Sequence, residues 1–314
     1  MAPLEKGVLG KGLAIAETLR LNEHVNAEQK IKVARFLDLG IAALKSGYRN
    51  ALYDYHFSDD PAPSSAAGKK TGCSAADIAA EIVSCSGCRL GKTRNRAVPG
   101  EGSEHPLVLV LGEGPGAEED ATGRPFVGPA GQLLDRMLAS ICLFREKNCF
   151  IANTVKCRPP GNRDPEFQEI RACAPFLIRQ IEVLKPRLIL AVGKVAANRL
   201  LHAGPGQNGD EESPPEPIGR LRGRFFDFAF PGSRGDSYPL SSAGDSGIRI
   251  LATYHPSALL RDDSLKIPVF EDLKKLMLRL AALDEGYRQE SRALMAKYAA
   301  KDPVFAAGAE EFLS

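Results

Sequence analysis

Four short apolar runs, Leu107–Leu111, Phe150–Ala152, Leu188–Val192 and Ile248–Ala252, are separated by stretches long enough to carry the chain back to the start of the next run. Continuous Val/Ile/Leu character, rather than strict alternation, suits strands that are buried on both faces. Between and after the runs, apolar residues recur at helical spacing over Ala130–Leu143, Pro165–Leu184 (with a break expected near Pro175), Lys194–Leu201 and Phe270–Leu283. Strands alternating with helices predict a three-layer α/β/α architecture around a central, mainly parallel four-stranded sheet.

This pattern spans residues 73–284, which read as one domain. Ahead of it, residues 1–57 carry Ile31, Ala34, Phe36, Leu37, Ile41 and Leu44 at three-to-four spacing, which predicts a helical extension available to a protein partner. The Pro/Ser/Ala/Gly-rich stretch 58–72 reads as a linker. Residues 203–217 and 231–247, rich in Gly, Pro, Ser and Asp, read as loop inserts, and 285–314 as a polar helical tail. The 44% apolar content suffices for a sizeable core, whereas a formal charge of +2 announces no nucleic-acid partner by itself. With no signal-peptide plan at the start and no apolar run near the roughly 18 residues of a membrane helix, the expectation is a cytoplasmic monomer that meets no membrane.

In a doubly wound sheet, ligands bind beyond the carboxyl ends of the strands. The first run there delivers Gly112-Glu113-Gly114-Pro115-Gly116, the second Asn153, and the fourth Tyr254-His255-Pro256-Ser257, with Phe126 following the first loop. The glycine spacing is G-x-G-x-G rather than G-x-G-x-x-G, no GK[ST] follows, and Glu113 would repel a pyrophosphate, so nucleotide binding is disfavoured. A glycine turn serving only backbone geometry is the plain alternative. Asn153 alone fits a turn equally well. His255 gains weight from Pro256, which stiffens its backbone. Lys194 reads as a helix-start lysine.

Seven cysteines, an odd number, suit free or metal-bound thiols better than disulfides in a reducing compartment. Cys85 and Cys88 form a C-x-x-C knuckle, and Cys157 and Cys173 form a second pair; four thiolates fit either a structural zinc or an iron–sulfur cluster, and spacing does not choose. Cys73, Cys142 and Cys149 read as ordinary thiols. Basic residues gather nearby in three groups (Lys92, Arg94, Arg96; Lys156, Arg158, Arg163; Arg220, Arg222, Arg224), and Arg261 follows the histidine turn, which together suggest a groove that tracks phosphates.

Taken together, "GEGPGAEEDATGRPFVGPAGQLLD", the C-x-x-C knuckle, "NTVKCRPPGNRDP" and "TYHPSALLR" resemble the family 4 uracil-DNA glycosylases, the iron–sulfur class, over about residues 74–283. The resemblance implies a uracil-glycosylase fold and a [4Fe–4S] cluster on Cys85, Cys88, Cys157 and Cys173. It also implies a repair enzyme that flips uracil out of DNA and hydrolyses its N-glycosidic bond. Gly114 and Gly116 would admit the flipped nucleotide, Phe126 would stack on uracil, and Asn153 would pair with its edge. Glu119 resembles the residue held to exclude thymine's methyl, and Glu113 and Glu119 would orient water or stabilise the sugar cation. His255 would stabilise charge at O2, and Arg261 would enter the duplex. The 157–163 segment holds no histidine of the kind that traps uracil covalently, so turnover is expected. A non-catalytic metal-braced nucleic-acid module, and a hydrolase of free nucleotides, remain as alternative readings.

Overall fold

The computed structural model describes residues 74–201, 215–228 and 247–313. The expected helical extension 1–57, the linker 58–72, Cys73 and most of the two loop inserts lie outside the described residues. Four strands form the parallel heart of the sheet: β2 (Val108–Gly112), β3 (Cys149–Asn153), β4 (Leu188–Val192) and β6 (Arg249–Thr253). Two short antiparallel strands, β1 (Glu101–Gly102) and β5 (Phe225–Asp227), edge it, giving the order β1-β3-β2-β4-β6-β5. The edges escape a periodicity reading because two or three residues carry no pattern.

Register follows from the double burial. Val108 and Val110 of β2 enter one core with Ile151, Leu190 and Leu251, while Leu109 and Leu111 enter the other with Ala152, Ile189 and Ile250. Burial of each such aliphatic side chain is worth about 1.5–3 kcal/mol, so a one-residue slip would misplace the whole set.

The first core is closed by α3 (Pro129–Ala139) and α8 (Lys266–Leu283), the second by α4 (Phe167–Leu184) and α5 (Lys194–Leu201). The remaining helices are α1 (Ala75–Ser84), α2 (Ala117–Thr122), α6 (Ile218–Leu221), α7 (Pro256–Arg261), α9 (Glu285–Ala299) and α10 (Pro303–Leu313).

Two expectations change. No break occurs at Pro175: α4 runs through it, because Pro175 and Arg171 face solvent and the carbonyl that loses its donor is open to water. The segment after Asp284 is helical but is no appendage. Tyr287, Met295, Tyr298, Phe305 and Phe312 are buried in the first core, and the Tyr298 hydroxyl donates to the Ser140 carbonyl at 2.6 Å.

The topology also locates a crevice. From β2 the chain moves to β3 on one side, then crosses back over β2 to β4 and on to β6. Beyond the carboxyl ends of strands whose connections diverge in this way, the loops part and leave room for a ligand.

Candidate active site

At that edge an open cleft of about 370 Å³ is lined by the loop after β2, by Asn153 and the segment after it, and by His255 and α7. Phe126 reaches it from the loop between α2 and α3. Its ring centroid lies 5.6 Å from that of His255, at an interplanar angle of 34°. Asn153, Phe126 and His255, far apart in the chain, therefore share one cavity with Glu113, Gly114 and Arg261.

Glycine makes this gathering possible, at Gly112 in the strand-end loop and at Gly131, which the strand-end reading did not name. A Cβ on Gly112 would stand 2.5 Å from both Asn153 Oδ1 and Phe126 Cζ, and one on Gly131 would overlap the Phe126 carbonyl. Phe126 itself has φ +53°, a conformation that costs a non-glycine residue about 1–3 kcal/mol unless its surroundings impose it. Here they do. Glu119 Oε1 accepts the N–H groups of Val127 at 2.8 Å and Gly128 at 3.0 Å, and Arg145 donates to the carbonyls of Pro125 and Phe126 at 3.0 and 3.1 Å. Glu119 Oε2 accepts Gly116 N–H at 3.1 Å. The carboxylate of Glu119 is thus filled with backbone donors and shapes the loop that presents Phe126.

Asn153 ends β3 with 1% of its surface exposed, and its Oδ1 has no hydrogen-bond partner. An unmatched buried acceptor is worth about 1–3 kcal/mol of lost solvation, so such groups persist chiefly where something else must bind them.

His255 caps the N-terminus of α7. Its Nδ1 accepts the Ser257 N–H at 3.1 Å and lies 2.8 Å from Ser257 Oγ. A backbone N–H can only donate, which leaves the ring proton on Nε2. Burial, helped by Arg261, lowers its pKa to about 4, so the imidazole is a neutral donor at physiological pH. Gly193, at φ +98° after β4, leaves its backbone room, since a Cβ there would stand 3.1 Å from His255 Cβ.

Glu113 is the carboxylate that backbone donors have not filled. Burial, reinforced by Asp164 and opposed by Lys194, raises its pKa to about 7, and the Lys194 ammonium lies 3.3 Å from Asp164 Oδ2.

Cys85, Cys88, Cys157 and Cys173 line a second, shallow pocket. N–H donors already point at the sulfurs: Gly87 to Cys85 at 3.3 Å, Arg94 to Cys157 at 3.0 Å and Lys156 to Cys173 at 3.3 Å. Burial holds the Cys173 thiol up at about 11 and raises that of Cys157 against the pull of Arg94. Metal coordination reverses that tendency by displacing the thiol proton. Among the described residues, no three His, Cys, Asp or Glu side chains are gathered as a single metal ion requires.

The basic clusters shrink on inspection. Arg94 is spent on Val83 and Cys157, Arg163 on two hydrogen bonds to buried Glu169, and Arg222 on Asp272; Lys156 is buried. Cys157 and Asp272 lie 63 and 50 residues from Arg94 and Arg222, so charge alone could not reveal those pairings. Arg261 lines the cleft and is placed to meet phosphate, and Arg158 is bonded at 2.7 Å to the neutral side chain of Asn162, which also lines it.

Residues 99–277 match the family model described as the Uracil DNA glycosylase superfamily. The chain is 38% identical over 205 residues to a type-4 uracil-DNA glycosylase of Saccharolobus solfataricus, spanning 65% of this chain and 86% of that one. It is 42% identical over 192 residues to one of Pyrobaculum aerophilum, spanning 61% and 87%. To one of Thermotoga maritima it is 37% identical over 200 residues, spanning 63% and 90%.

Proposed function

The chain belongs to the uracil-DNA glycosylase superfamily, in its type-4 branch, and from that premise we propose how its cleft removes uracil from DNA. It is a DNA-repair hydrolase acting on N-glycosyl bonds. The observation that carries the reading is the orphaned Asn153 Oδ1, buried beside an aromatic face and a neutral imidazole donor.

Uracil extruded from the duplex stacks on Phe126. Asn153 Oδ1 accepts its N3–H while the amide N–H donates to O4, a pattern that cytosine inverts. As the N1–C1′ bond breaks, negative charge spreads to O2, where His255 Nε2–H donates; one such donor is worth roughly 3 kcal/mol. Water adds to C1′ of the cationic sugar and gives its proton to Glu113, whose pKa of about 7 suits a base working near neutrality. Glu119 is then a positioning residue for the Phe126 loop. Gly114 and Gly116 pass the nucleotide, and Arg261 approaches the DNA. A base-reading amide would serve a non-catalytic binding module equally; what disfavours that alternative is the family, whose members matched here are uracil-DNA glycosylases. The wild-type protein is expected to release uracil from a uracil-containing oligonucleotide, read as alkali-dependent strand scission; no scission on either single- or double-stranded DNA overturns the reading.

Cys85, Cys88, Cys157 and Cys173 hold a [4Fe–4S] cluster in this reading. Zinc is the other candidate for this donor set. The cluster, when bound, would supply covalent cross-links between the knuckle, the segment after β3 and α4. Freshly isolated protein is expected to be brown and to contain about four irons per chain, with Cys157→Ser losing both colour and thermal stability. A colourless protein with stoichiometric zinc contradicts the assignment. Among the described residues, no helix is long and apolar enough to cross a membrane.

A further inference from the structure

Lys156, grouped by sequence with the phosphate-binding cations, has 1% of its surface exposed. Its ammonium donates to the main-chain carbonyl of Asn153 at 2.9 Å and to Gln180 Oε1 at 2.7 Å. Gln180, also buried, donates in turn to the Pro99 carbonyl at 2.8 Å. The Lys156 N–H meets Cys173 Sγ, and Cys157 follows directly in the chain. A buried ammonium is costly, and its two hydrogen bonds are the compensation.

What those bonds restrain is informative. Asn153 is the last residue of β3 paired with β2, and beyond it the Thr154 and Val155 N–H groups still donate to the Gly112 and Glu113 carbonyls at 2.9 and 3.1 Å, so the chain runs on beside the catalytic loop. Lys156 takes the Asn153 carbonyl at that point, and the side chain it steadies carries the unpartnered Oδ1. We infer that Lys156 is a positioning residue that holds the base-reading amide of Asn153 in the cleft and ties it to the segment bearing Cys157 and Cys173. The inference rests on the proposed uracil-reading role of Asn153.

The test uses the full, iron-loaded chain and a duplex whose single deoxyuridine carries a 2′-fluorine, which slows glycosidic cleavage and permits an equilibrium measurement. A matched thymidine duplex serves as the reference. Lys156→Met is expected to keep wild-type iron content, visible absorption and thymidine-duplex affinity. It should lose roughly 10- to 100-fold in affinity for the fluorinated uracil duplex and in uracil release. Combined with Asn153→Ala it should lose no more than Asn153→Ala alone, since both act through one amide. Gln180→Leu, which removes the second acceptor from α4, should lose preference in the same direction by a smaller factor. Wild-type preference for uracil in Lys156→Met, or losses that multiply in the double variant, overturn the inference. Should Lys156→Met fail to load iron, Gln180→Leu decides, and undiminished preference there overturns it equally. If the wild type itself shows no preference for the uracil duplex, the function fails along with the inference; if it does and the variants keep it, only the inference fails.

Discussion

Asn153→Ala is expected to slow uracil release roughly 10³-fold while leaving the folded protein as stable as before. The two halves of this expectation come from the same atom. In the free protein Asn153 Oδ1 is buried and unmatched, so deleting it breaks no hydrogen bond and relieves a desolvated acceptor, which offsets the packing lost with the side chain. In the complex, that acceptor and the amide N–H distinguish uracil from a base with the inverted edge, and no neighbouring side chain supplies either. The melting temperature should therefore stay within about 1 °C of wild type or rise slightly, the trade expected where a site is kept unsatisfied for a ligand. Single-turnover release and thermal unfolding measure the two halves independently. A variant that loses stability in step with activity would mean that Asn153 serves the fold rather than the base.

How much of this was readable beforehand differs from residue to residue. The four parallel strands announce themselves because burial on both faces demands continuous apolar runs, and the residues at their carboxyl ends follow from the direction of the sheet. Asn153 and His255 could therefore be found by position. Phe126 could not be fixed in space that way, because its approach depends on the missing side chains of Gly112 and Gly131 and on hydrogen bonds that Val127 and Gly128 donate to Glu119 across eight and nine residues. Lys156 was misplaced among the phosphate-binding cations because its burial is decided by Gln180, 24 residues away, and no local pattern encodes that. The C-terminal helices were likewise set apart by their polar composition, although a few widely spaced aromatic residues suffice to anchor them in the core.

His255 and Glu113 should separate cleanly in a pH–rate profile. His255 is held neutral by burial, with a pKa near 4, and its Nδ1 is committed to Ser257, so it should contribute a constant Nε2–H donor throughout neutral pH. Replacing it with glutamine should lower the rate roughly 10²- to 10³-fold at every pH without moving the profile. Glu113 must lose its proton to accept one from water, so the rate should rise with pH through about 7, and Glu113→Gln should abolish that rise. Stability supplies an independent check with a definite sign. The folded pKa of Glu113 is raised, so the carboxyl contributes most below its ordinary 4.5 and that contribution is lost as pH climbs to about 7; Glu113→Gln should therefore gain on wild type above neutrality. The folded pKa of His255 is depressed, so its contribution is present above 6.5 and disappears as pH falls towards about 4. A rise near pH 7 that survives Glu113→Gln but vanishes in the histidine variant would reverse these roles and make the imidazole the base.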